Sequence, residues 1–396
     1  MTLTTELDLR DPGFVADPYP ALAELRSRGP LLRHEPTGRW LATTHASVSA
    51  VLRHRGFGRI WTDWEPAERM DPFNALHRHQ MMENEPPEHT RLRRAVATAF
   101  GRGHVERLGP RVAELADAML DAIDPSAPVD VLAAYAEPMP VYVIADLLGV
   151  PRDDHARLRD WSQAIVHMYE VGVDDATRDA AVEASVAFAD YVRGVVAHKR
   201  RAPGDDLVSH LVEEGSLSDD ELVASVALLL NAGHEASVNV FGNGLHALLE
   251  HRDQLDRVTA GEVSVATALE ELIRYDAPLQ LFERTATTDV EVAGQVVAAG
   301  ETVACLMGSA NRDEEAFAAA DTFDVGRDPN PHVGFGMGRH FCLGAPLARL
   351  ELEITVRRLL ERFPRLDLHR AGSHDPAPRR PTWVLRGFAS IEVDLT

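Results

Sequence analysis

Phe335-Gly336-Met337-Gly338-Arg339-His340-Phe341-Cys342-Leu343-Gly344-Ala345-Pro346 is the stretch that decides how this chain folds. It is a glycine-rich loop running into a helical pattern that extends from about 346 to 362. Glycines let a backbone approach a bound group closely. Amides at a helix start stabilise negative charge, which favours a thiolate at Cys342. The chain has one other cysteine, Cys305, in the apolar run Thr302-Val303-Ala304-Cys305-Leu306, where it reads as a core residue. Two thiols do not make a disulfide framework. Zinc is not indicated, because no second cysteine or paired histidine sits at ligand spacing.

The rest of the chain is an ordinary globular composition around that loop. It has 396 residues, 45% hydrophobic and 26% charged, with a net charge of −22. Such an acidic surface argues against sequence-independent binding to nucleic acid or anionic lipid. No basic patch followed by an apolar stretch opens the chain, and no run of roughly 18 apolar residues occurs, so a cytoplasmic protein without a membrane span is expected. Apolar residues recur at three- and four-residue spacing over 105–123, 177–199, 219–250 and 265–275, which predicts helices. Short β-type runs appear at 39–44, 290–292, 296–297 and 302–306, and the tail is strand-like over 383–394. Residues 56–87, rich in glycine and proline, read as a long irregular loop. No linker is visible, so residues 1–396 are expected to form a single domain, mainly α with small β-sheets.

One predicted helix is unusual. Ser218-Asp219-Asp220-Glu221 is a capping box, and the residues after it, Ala224 to Leu230, are apolar nearly all round. Asn231, His234, Glu235, Ser237 and Asn239 then gather beside Gly233. They form a satisfied polar network, an exposed face of the helix, or the lining of a reactive cavity.

The pattern Phe335, Gly338, Cys342 and Gly344 resembles the haem-binding loop of the cytochrome P-450 monooxygenases. Glu271-Leu272-Ile273-Arg274 is similar to that family's Glu-x-x-Arg helix, and Pro86-Pro87-Glu88-His89-Thr90-Arg91-Leu92-Arg93 to the start of its C-helix. Ala232-Gly233-His234-Glu235 resembles its dioxygen-activating segment. The resemblance covers nearly the whole chain and points to the soluble bacterial branch. It implies the cytochrome P-450 fold and haem b, with Cys342 as the thiolate ligand of the iron. It implies that His89, Arg93, Arg284 and His340 compensate the propionates. Phe335, Gly336, Gly344, Ala232 and Gly233 would border the cofactor. Glu271 and Arg274 would form a structural ion pair, with Arg327 as its third member, although residues 313–327 lack the family's usual prolines.

The chain departs from the family on the long helix. Where the family reads acid-Thr, this sequence reads Glu235-Ala236-Ser237, so the proton-delivering alcohol is missing. A substrate hydroxyl or water replaces it, or the reaction is oxidative coupling without oxygen insertion, or a helix distortion brings Ser237 into place. The resemblance assigns substrate contact to Trp61, Trp64, Met81, Met82, Val166, Asn231, Leu279, Gln280, Phe282, Val384 and Leu385. Trp61 and Trp64 read equally as anchors of their loop, and His77 is a further polar handle. The expected function is hydroxylation of a small natural product of secondary metabolism. Dioxygen would be the co-substrate, with electrons from NAD(P)H through a separate ferredoxin reductase and ferredoxin. Arg102, Arg339 and Arg349 are candidates to meet that acidic carrier. The alternatives are C–C or C–N coupling of an aromatic or cyclic-peptide substrate, and a non-catalytic haem-thiolate sensor.

Overall fold

Trp40, Leu41 and Ala42 are all buried in the strand Arg39–Ala42, which explains its place in the middle of a six-stranded sheet. It pairs antiparallel with Leu31–His34 and parallel with Thr302–Leu306, whose other edge holds Leu281–Ala286. Thr44 ends the strand. Its hydroxyl accepts from the Ser47 amide at 3.2 Å and caps the helix His45–Arg53. This computed structural model describes residues 2–370 and 375–395, without the Arg102 side chain.

The chain divides into two compact units. One comprises Met1–Gly58, Arg111–Ala136 and Ala236–Thr396; the other comprises Arg59–Pro110 and Glu137–Glu235. The first holds the six-stranded sheet, a three-stranded sheet and the hairpin Val290–Val292/Gln295–Val297. The second is helical throughout its described regular elements.

The expected helices form at Gly109–Asp121, Asp175–Arg201, Asp219–Glu250, Val265–Tyr275 and Ala345–Arg362. The capping box also forms: the Ser218 amide donates to Glu221 at 2.9 Å, and the Glu221 amide to Ser218 Oγ at 3.3 Å. Two expectations need correction. Residues 56–87 are not one irregular loop, because Ala67–Arg78 is a helix with Pro72 inside it. Pro72 forfeits one backbone hydrogen bond, but Met70, Phe73 and Leu76 gain burial on one face. The 383–394 tail is a strand only over Glu392–Asp394; before it, single bridges join Leu279 to Leu385 and Arg379 to Phe388. No helix among the described residues is long and apolar enough to cross a membrane.

Candidate active site

The cysteine loop is pinned by its own backbone. The Cys342 amide donates to the Phe335 carbonyl at 2.9 Å, and the Phe341 amide to Gly338 at 3.1 Å. Gly338 has φ +71°, and a Cβ there would lie 2.4 Å from the Leu52 carbonyl oxygen, so only glycine fits. Gly336 also has positive φ, and Gly344 is the N-cap of the Ala345–Arg362 helix. A Cβ on Gly344 would sit 4.0 Å from the Cys342 sulfur. Cys342 is exposed, whereas Cys305 is buried in its strand, where burial pushes its thiol up to about 12. The structure thus separates one accessible thiol from one inert one.

In the same unit, Arg284 is buried on the strand Leu281–Ala286, its guanidinium 4.7 Å from the Phe282 ring. Phe282 and Met337 pack against one apolar cluster around Val48, Leu52 and Val303. His340 lies half-buried in the turn Gly338–His340. In the second unit, the helix Glu88–Ala97 carries buried His89 and half-buried Arg93, four residues apart and on one face. Arg91 is turned away and pairs with Glu221, whose carboxyl is held down at about 2 by that guanidinium. A groove of about 640 Å³ beside them, among Pro86, Arg91, Arg94 and Glu214, contains none of the expected site residues.

The long helix Asp219–Glu250 runs without interruption. Ala236 and Ser237 follow one another in it, about 100° apart around the axis. Residues 222–230 are all buried, then Ala232 is exposed, and Asn231, Gly233, Ala236 and Ser237 are half-buried. The helix opens where the small and polar residues gather. Glu235 is buried, with an oxygen 4.0 Å from His234 Nδ1.

The expected substrate residues are less uniform. Trp61 stacks on His77 at 4.6 Å and donates to Asp63 at 2.9 Å. His77 bonds Phe73 and Tyr169, so it is committed to the fold rather than to a ligand. Trp64 is tied through its backbone to Asn74. Both tryptophans hold their segment in place. Gln280 also needs correction: it is fully buried, and its amide donates to Tyr19 and the Ala277 carbonyl. Val166 and Val384 are buried; Met81, Met82, Leu279, Phe282 and Leu385 are half-buried.

Glu271, Arg274 and Arg327 come together. Arg274 donates twice to Glu271 at 2.7 Å, and Arg327 Nε lies 3.2 Å from the same carboxylate. Sequence reasoning missed the adjacent Glu270. It accepts from His332 at 2.8 Å and from Arg349 at 2.6 and 2.8 Å. Arg349, expected to face a carrier protein, is thus committed to Glu270. No spacing signal marks this trio, because its members lie far apart in the chain. Arg339 reaches the Arg55 carbonyl at 3.4 Å, and the Arg102 side chain lies outside the described residues.

These features can be set beside known proteins. The cytochrome P450 family model matches residues 264–386, which include both the Glu271–Arg274 pair and the cysteine loop. The cytochrome P450 monooxygenase PikC of Streptomyces venezuelae is 38% identical over 96% of this chain and 91% of its own. Nocardicin C N-oxygenase of Nocardia uniformis subsp. tsuyamanensis is 40% identical over 95% of each chain. Among solved structures, the cytochrome P450 CxnD, for C–S bond formation in chuangxinmycin biosynthesis, is 31% identical with a TM-score of 0.88, covering 100% of this chain and 97% of its own. With full-length relatives of this identity and the pinned cysteine loop in place, the chain belongs to the cytochrome P450 family, as a monooxygenase of the bacterial type.

Proposed function

We propose that this enzyme hydroxylates a small natural product of secondary metabolism, using haem b, dioxygen and electrons delivered by a ferredoxin and its reductase. The observation that carries the reading is the exposed Cys342 in a loop whose backbone is already pinned around it. The donor set fits the cofactor: one accessible thiol for iron, and cationic side chains for two carboxylates. Arg284, His340, His89 and Arg93 would serve the propionates. Phe335, Gly336, Gly344, Ala232 and Gly233 would border the macrocycle. The 396 residues work as one such domain. When bound, haem supplies dioxygen activation at an iron held by a thiolate.

The chain's own residues orient substrate and move protons. Glu235 is the buried acid that passes a proton along the long helix. Ala236 carries no hydroxyl, so a substrate hydroxyl or a water must complete the relay within hydrogen-bond reach. Met81, Met82, Asn231, Leu279, Phe282 and Leu385 are the half-buried candidates to contact substrate.

Two results are expected. First, His89→Ala or Arg93→Ala lowers haem occupancy, by about 1–3 kcal/mol of binding each, because a propionate loses a charged partner. Normal haem content in the double variant, read from absorbance per protein, overturns the assignment of this helix. Second, substrates found by difference spectra among macrolides, aromatic cyclic peptides and fatty acids gain one labelled oxygen under labelled dioxygen. Analogues lacking the relay hydroxyl leak electrons to peroxide, and Ala236→Thr restores their oxidation.

Ala236 also supports a second reading, oxidative coupling, as does the likeness to a P450 named for C–S bond formation. An unlabelled product that has lost two hydrogens would establish it and overturn hydroxylation. Spectral binding without turnover by any reductase would favour a sensor.

A further inference from the structure

Glu270 and Arg349 form a charge pair directly behind the cysteine loop. Glu270 stands on the helix Val265–Tyr275, next to the Glu271–Arg274 pair but separate from it. Arg349 stands on the helix that leaves the loop, Ala345–Arg362. Two hydrogen bonds of 2.6 and 2.8 Å join them, and His332 donates to the same carboxylate at 2.8 Å. Burial acts to raise the Glu270 carboxyl, but bonds to Arg349 and His332 overcome it and hold the group at about 2. The carboxylate is therefore charged throughout the neutral range.

The guanidinium has a second contact. Its carbon lies 4.4 Å from the centre of the Phe335 ring. The Phe335 carbonyl accepts from the Cys342 amide at 2.9 Å. One aromatic residue thus stands between a fixed positive charge and the cysteine backbone. The Arg349 side chain is 38% exposed and Glu270 27%, so water screens the pair only in part. A cation at this place stabilises an electron added to the iron–thiolate centre, and an anion opposes it. Paired, the two nearly cancel.

We infer that Arg349 and Glu270 are positioning residues that act on the reduction potential of the thiolate-bound iron with opposite signs, so that each keeps the other from shifting it. Their geometry also keeps Phe335 behind Cys342. The inference rests on Cys342 being the axial ligand. It assigns Arg349 a role inside the protein rather than on a docking surface.

The test measures iron(III)/iron(II) midpoint potentials of the holoenzyme and its reduced carbon monoxide spectrum. Glu270→Gln keeps the hydrogen-bonding shape but leaves Arg349 uncompensated. It should favour the reduced state by three- to tenfold, tenfold being 59 mV for one electron. Arg349→Met leaves Glu270 uncompensated and should favour the oxidised state by a similar factor. The double variant should return to within about twofold of the parent if the charges act as a pair. Arg349→Lys, which keeps the charge, should stay nearer the parent than Arg349→Met and covers the case in which the latter does not fold. Shifts of the same sign in both single variants, with loss of the thiolate-type band, would indicate a purely structural pair and overturn the inference. Shifts below twofold in both would overturn it too. Absence of the thiolate-type band in the parent would instead refute the proposed function, so the two failures are distinguishable.

Discussion

Cys342→Ser should abolish the thiolate-type band of the reduced carbon monoxide complex, and with it all turnover, while leaving the protein folded. The separation of these effects follows from the loop. Its shape rests on the Cys342 amide bonded to Phe335 and on Gly338 packed against Leu52, neither of which uses the sulfur. The side chain itself is exposed, so its replacement opens no cavity. A serine hydroxyl does not ionise near neutrality and cannot replace a thiolate as a soft, electron-rich ligand. Cys342→His should lose the band equally. Cys305→Ala is the control. That thiol is buried, with its pKa pushed up to about 12, so the band should persist. Circular dichroism and the carbon monoxide difference spectrum on the same samples decide the matter. A retained band in Cys342→Ser would remove this residue as the ligand.

Arg274→Met should lower the stability of the fold by about 3–5 kcal/mol, and with it the yield of folded protein. Arg274 and Glu271 are both fully buried, and the pair is over-determined. Arg274 also donates to the carbonyls of Asn311 and Ala320 at 2.7 Å and of Thr322 at 3.1 Å. Glu271 accepts in addition from the Asp324 amide at 2.9 Å and from Asn330 at 3.2 Å. Removing one partner of such a pair strands a charge and several acceptors away from water, at a cost of about 3–5 kcal/mol. Domains are stable by only about 5–15 kcal/mol, so the loss takes a large share of the total. Glu271→Gln keeps the shape but not the charge and should fall between the parent and Arg274→Met. Soluble yield and urea midpoints measure both. A change under about 1 kcal/mol in Arg274→Met, the value of an ordinary exposed pair, would show that this network does not hold the segment 311–330.

The loop and the Glu271–Arg274 pair were legible because their residues are close in sequence and their types are chemically constrained. Gly338 had to be glycine for a steric reason. The helix Asp219–Glu250 was legible for a similar reason: its cap lies within four residues, and apolar residues recur along it at three- and four-residue spacing. Local pattern also located the strands Val290–Val292 and Thr302–Leu306. The same local reasoning erred where tertiary burial overrode a local penalty, as at Pro72, whose lost hydrogen bond is outweighed by its neighbours' packing.

Other roles depended on what each side chain meets. Gln280 and His77 are polar residues beside apolar ones, which in sequence looks the same whether they face a ligand or a neighbour; their hydrogen bonds to Tyr19 and Tyr169 decide it. Glu270 and Arg349 lie on two different helices, and only the packing of those helices makes them a pair. The sequence by itself determined the family and singled out Cys342 as the candidate ligand and Ala236 as a position without a hydroxyl, because each is a matter of residue type at short spacing. The tertiary structure alone decided which polar groups are already satisfied and which charges stand behind the cysteine, because hydrogen bonds and Coulomb forces act through space between residues the chain keeps far apart.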